Sequence, residues 1–168
     1  MGIFDFIKEA GEKLGFGGDD EARDEGIEKL GKDVQDEDPA LADRMRGNAL
    51  ARKVMAHGLE VEELRVDYSD GTAMVFGQVT DQATRERVVL ALGNVHGVAR
   101  VDDRMEVAAP EPEAAMYTVQ SGDSLSKIAL AHYGDAMKYM VIFEANKPML
   151  ENPDLIYPGQ VLRIPPLA

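Results

Sequence analysis

The side chains able to do acid–base, nucleophilic or metal chemistry are few, and their spacing keeps them apart. His57, His96 and His132 fall in different stretches, and none has an Asp, Glu or Cys at metal-ligand spacing, so a zinc centre has no support. The chain contains no cysteine, which excludes disulfides and thiolate metal sites. Ser121 and Ser124 sit in turn chemistry without a neighbouring histidine base, so nucleophilic catalysis is not expected. Asp102 and Asp103 are adjacent on a predicted strand and point to opposite faces, a poor geometry for paired acid–base work. There is no phosphate-cradling glycine loop and no Asp-x-Asp-x-Asp-Gly calcium loop. His132, on the apolar side of a predicted helix, is expected to be packed. The residues point to a binding protein, not an enzyme.

Length and charge narrow the ligand. The 168 residues suffice for one ordinary domain or two small ones. Thirty-one acidic against 18 basic residues give a net charge of -13. Nucleic acid and anionic membranes both require a basic face, so neither is an expected partner. No run approaches the ~18 apolar residues that span a bilayer. Met1-Gly-Ile-Phe-Asp-Phe-Ile lacks the basic start and long apolar run of a secretory signal, and a cytoplasmic monomer is the expectation.

The elements that must position a site follow from periodicity. Ile3, Ile7, Ala10 and Leu14 share one face of a predicted N-terminal helix over 1–15, expected to dock on the domain that follows. Residues 16–39 are an acidic connector, read as a loop with a short solvated helix around Ile27, Leu30 and Val34. Asp38-Pro39 starts a helix running to His57. Leu64, Val66 and Tyr68 alternate with polar residues, Asp70-Gly71 makes a tight turn, and Ala73, Val75 and Val79 alternate on the return strand. Asp81–Val95 is a helix with Thr84, Val88, Ala91, Leu92 and Val95 on one face. Val98, Val101, Met105 and Val107 give a third strand. The Pro- and Glu-rich stretch 109–115 is a linker.

Beyond it, Tyr117-Thr-Val-Gln-Ser-Gly-Asp-Ser-Leu reads as a strand, a turn and a helix cap. Leu125, Ile128, Ala129 and His132 follow at helical spacing, and a second helix over 136–145 brings Met137, Met140 and Val141 to one side. Pro158-Gly159 turns into a last strand, Val161–Ile164. Tyr117, Val119, Gly122, Asp123, Leu125, Ile128, Ala129, Asn146, Pro158, Gly159, Gln160, Leu162, Ile164 and Pro165 resemble the pattern of a LysM domain, here 116–166. Over 40–108, Val66, Asp70-Gly71, Val75, Gly77, Leu92-Gly-Asn-Val-His-Gly-Val98 and Val101-Asp-Asp103 resemble a BON domain. The reading is therefore α+β: a BON-like α-β-β-α-β domain, then a LysM β-α-α-β domain.

The two together, with Met1-Gly-x-Phe-x-Phe-x-Lys-x-Ala10 at one end and Ile156-Tyr-Pro-Gly-Gln-Val-Leu-Arg-Ile-Pro165 at the other, resemble the cytoplasmic BON–LysM potassium-binding proteins of enteric bacteria. That resemblance implies potassium as the bound ion, with sensing or buffering as the role. A potassium site is built from neutral carbonyl oxygens that replace the hydration shell, so it leaves almost no side-chain signature. The resemblance points to two glycine-marked segments, with carbonyls of Ile7, Ala10, Gly93, Val95 and Val98 as ligands and Gly11 or Glu12 as a further contributor. The plainer alternative is that Gly93 and Gly97 only stop a helix. A rival reading is binding of peptidoglycan or another N-acetylglucosamine polymer. LysM resemblance places that groove between Gly122, Asp123, Ser124 and Leu125 and the loop carrying Leu155 and Ile156. A third is a scaffold whose LysM half docks on the BON half or on another protein.

Overall fold

The computed structural model describes residues 2–6, 27 and 30–167. Two hydrophobic cores are built in succession along the chain. The first begins with β1 (Gly2–Asp5), then a single-turn helix α1 (Lys32–Gln35) and the long α2 (Pro39–Ala56). Asp38 caps α2 by accepting the N–H of Leu41 at 3.0 Å, and Pro39 fills the first helical position, where a missing N–H costs nothing.

The hairpin follows as β2 (Glu62–Ser69) and β3 (Thr72–Asp81). Asp70 and Gly71 both have positive φ (44° and 74°), the requirement of the two-residue turn that matches strand twist. Asp81 then caps α3 (Gln82–Gly93) by accepting the N–H of Thr84 at 2.7 Å, which also holds its carboxyl below its ordinary value. β4 (Arg100–Asp103) returns parallel to the first half of β3, and β5 (Glu106–Ala109) pairs with the second half. The sheet order is β1-β4-β3-β2. Leu50 and Val54 of α2, Val88 and Leu92 of α3, and Val66, Val75, Val98 and Val101 form the core between helices and sheet.

Residues 2–5, expected to open a helix, are instead a strand antiparallel to β4, with Ile3 opposite Asp102 and Phe4 opposite Val101. Ile3 is exposed while Phe4 and Phe6 pack on the core, a period of two that the apolar start hid. The rest of the expected helix, including Ile7, Ala10 and Leu14, lies outside the described residues. Ile27, read as part of a solvated helix, is buried in the first core. The third strand is split: Arg104 donates its N–H to the Val75 carbonyl and Met105 donates to the Asp103 carboxylate, which steps the chain between β4 and β5.

The second core belongs to β6 (Ala115–Thr118), α4 (Leu125–Tyr133), a 3-10 turn (Ala136–Lys138), α5 (Tyr139–Ala145) and β7 (Val161–Ile164). β6 and β7 are antiparallel, with Tyr117 opposite Leu162. Leu125, Ile128, Ile142, Phe143, Leu150, Leu162 and Ile164 fill the space between strands and helices. His132 is exposed, correcting the expectation of a packed histidine; its ring meets the Tyr117 ring edge-on at 5.3 Å. Met137, Met140 and Val141 are also exposed, because α5 buries Ile142, Phe143 and Ala145 instead. No helix among the described residues is long and apolar enough to cross a membrane.

Candidate functional site

The second half of α3 is apolar on every side: Val88, Val89, Leu90, Ala91 and Leu92 are all buried. A helix of that kind must be covered on both faces. One face rests on the first core, and the other meets β7 of the second unit. Its C-terminal end, where carbonyls lose their helical partners and the dipole is negative, runs into Asn94-Val95-His96-Gly97-Val98.

Two glycines shape this end for different reasons. Gly97 has φ 95°, a conformation that L side chains rarely adopt. Gly93 is still helical; what it supplies is room, since a Cβ there would come within 2.0 Å of the Phe6 ring. Phe6 is tied in further by donating its N–H to the Ala99 carbonyl at 2.8 Å. The N-terminal strand and the end of α3 are thus in direct contact, and the chain continues into residue 7 from beside this turn.

Of the carbonyls in the turn, Val95 O accepts the N–H of Val98 (3.0 Å) and Gly97 O accepts the Tyr68 hydroxyl (2.9 Å). Each keeps a second lone pair. Val95 and Val98 are buried whole and their side chains are apolar, so the polar groups they bring to the turn are backbone. Gly93, Val95 and Val98 therefore share one turn at the negative end of a helix, a setting that favours a cation. Ile7, Ala10, Gly11 and Glu12 lie outside the described residues. No group of three or more His, Asp or Glu side chains among the described residues could hold a metal ion.

The second unit is docked on α3 by polar contacts that no local pattern announces. Glu86, buried on α3, accepts from the Arg163 guanidinium, from Gln82 Nε2 (3.1 Å) and from the N–H of Ala114 (2.9 Å). Arg87 donates to the Ala145 carbonyl at 3.3 Å. Asn94 donates to the Val161 carbonyl and accepts the Val161 N–H, both at 3.0 Å. Asn146 makes the same double contact with the backbone of Arg163. Arg163 lies 77 residues from Glu86 and Val161 lies 67 from Asn94, beyond the reach of periodicity; a lone acid on α3 was the one available signal.

The residues assigned to a glycan groove are largely occupied in building their own loop. Gly122, at φ 86°, accepts the Lys127 ammonium on its carbonyl at 2.8 Å. Asp123 accepts the N–H of Gln120 (2.8 Å) and the Tyr117 hydroxyl (2.7 Å). Those bonds hold the Asp123 carboxyl below its ordinary value, and the carboxylate in turn pushes the Tyr117 hydroxyl up. Ser124 caps α4 through the N–H of Lys127, and Leu125 is core. Leu155 is exposed, and Ile156 packs on the second core.

Comparison with known proteins agrees with this two-part architecture. Residues 117–165 match the LysM domain model and residues 47–109 the BON domain model. The chain is 41% identical over 170 residues to a protein of Escherichia coli O6:H1 named potassium binding protein Kbp, covering 98% of this chain and 99% of that one. A 97-residue stretch is 45% identical to an uncharacterized protein of Deinococcus radiodurans, covering 51% of this chain and 37% of the relative.

Proposed function

Because the chain belongs to the family of the potassium binding protein Kbp, a BON domain followed by a LysM domain, we propose that it binds potassium without catalysis and serves as a cytoplasmic sensor or buffer of the ion. The likeness that carries this reading runs through both domains and the segment before them, so it is not the likeness of one common module. The proposed ligands are carbonyls of Gly93, Val95 and Val98 with those of Ile7 and Ala10, and Gly11 or Glu12 as a further contributor. Neutral carbonyl oxygens suit a large monovalent ion. The contact of Phe6 with Gly93 supports bringing the two segments together, because it leaves the chain beside the turn just before Ile7.

Binding through two segments couples the ion to their association, so the free protein is looser than the bound one. Calorimetric titration of the purified protein with potassium chloride, against sodium chloride at equal ionic strength, tests the reading. A saturable heat with potassium is expected. No heat and no change in amide exchange with potassium would reject it.

The LysM match keeps a second reading open, binding of peptidoglycan or another N-acetylglucosamine polymer beside Gly122–Leu125, Leu155 and Ile156. Retention on purified peptidoglycan, lost when Leu155 is replaced by Asp, is its expected signature.

A further inference from the structure

Among the described residues β7 has one strand neighbour, β6, and its other edge is completed by two side-chain amides from different domains. At Arg163 the amide is Asn146, which accepts the backbone N–H at 2.7 Å and donates to the carbonyl at 2.8 Å. At Val161 it is Asn94, with both bonds at 3.0 Å. Residues 161 and 163 present their N–H and C=O to the same edge, because antiparallel pairing alternates along a strand. An asparagine amide carries an acceptor and a donor side by side, so the two together stand in for a third strand. Asn146 belongs to the LysM unit itself, whereas Asn94 is supplied by the end of α3.

Asn94 lies between Gly93 and Val95, whose carbonyls are proposed to hold the ion. The peptide plane carrying the Gly93 oxygen adjoins the Asn94 Cα, and the plane carrying the Val95 oxygen begins at the next Cα, so an ion that fixes both restrains the backbone that aims the Asn94 side chain. We infer that Asn94 is a positioning residue that makes ion occupancy of the turn and docking of the LysM domain on α3 depend on each other. The inference rests on the potassium reading above. By linkage the effect runs both ways: the ion tightens the hold on Val161, and the hold on Val161 tightens the ion. Asn146 at Arg163 is the internal comparison: its contact lies within one domain and does not pass through the turn, and Arg163 meets α3 only through its side chain on Glu86.

The test is amide hydrogen exchange at Val161 and Arg163 in the full chain, with potassium or sodium chloride, alongside calorimetry with potassium. In the wild type, exchange at Val161 is expected to slow when potassium binds, and to slow more than exchange at Arg163, whose backbone is held from within the LysM domain. Asn94→Ala is expected to bind potassium about tenfold more weakly and to make Val161 exchange insensitive to the ion. Val161→Pro removes the N–H from the LysM side, at a position where it does not serve the β6 ladder, and is expected to weaken potassium binding with the turn sequence intact. A wild type that binds potassium without any change at Val161 overturns the inference and leaves the potassium reading standing. So does wild-type potassium affinity in both variants. A wild type that binds no potassium overturns both, and its own titration separates that outcome from the two above. The wild-type exchange result holds whatever the stability of the variants.

Discussion

Asp123 shows how a single family-pattern residue can be structural while looking like a ligand. Its carboxylate accepts the Gln120 N–H and the Tyr117 hydroxyl and so closes the loop between β6 and α4. Its folded pKa is depressed, chiefly by the Gln120 bond and then by Tyr117. A depressed carboxyl contributes stability that is present above its unfolded value and is lost as pH falls through the folded one. Asp123→Ala should therefore cost about 1 kcal/mol at pH 7. The gap to wild type should close in acid, below the ordinary carboxylate range. Urea unfolding of both proteins at neutral and acid pH measures this. A gap of the same size in acid would mean that the charge of Asp123 is not what holds the loop.

At the scale of elements, the informative pairing is β1 with the end of α3. Gly93 gives up a side chain so that the Phe6 ring can sit against the helix. Gly93→Ala must push the ring away and with it loosen β1, whereas Phe6→Ala removes the obstacle. The expected result is strong non-additivity: Gly93→Ala costs clearly less in the Phe6→Ala background than in the wild type. Thermal unfolding of the four proteins of the cycle measures it, and additive costs would show that ring and glycine do not press on one another. The same region marks where the sequence was legible and where it was not. The hairpin was readable because Asp70-Gly71 and the alternation about Val66 and Val75 are local signals. The LysM unit was readable for the same reason, its turn at Gly122 and cap at Ser124 being short-range devices. β1 was not, because Ile3, Phe4 and Phe6 fit a helical stripe as well as a strand edge, and pairing with β4, nearly a hundred residues on, decided between them. The step that splits β4 from β5 depends on Val75 and Asp103, which are likewise brought together only by the fold. Of the candidate site, Gly97 was legible as a glycine needing positive φ, whereas the purpose of Gly93 needed Phe6 in view.

At the scale of the whole molecule, the two domains are joined by a linker and also by a buried ion pair. Glu86 and Arg163 have side chains only 5% and 10% exposed, and the remaining acceptor capacity of Glu86 is taken by Gln82 and Ala114. Such a pair adds little net stability over apolar residues, yet removing one partner strands a buried charge. Asn94 and Arg87 add hydrogen bonds that make the contact directional. Glu86→Ala should then destabilise the docked arrangement by about 3–5 kcal/mol. Small-angle scattering should show a larger radius of gyration, and the LysM unit should unfold separately from the BON unit. Replacing both Glu86 and Arg163 by Met should recover most of the loss of stability. It should not restore potassium linkage to Val161 if Arg163 is needed to hold β7 in register with Asn94. A Glu86→Ala protein that melts in one transition at the wild-type temperature would place the docking energy in other contacts. In that case Asn94, with no charge to bury, would be the contact that keeps the LysM domain on the ion turn.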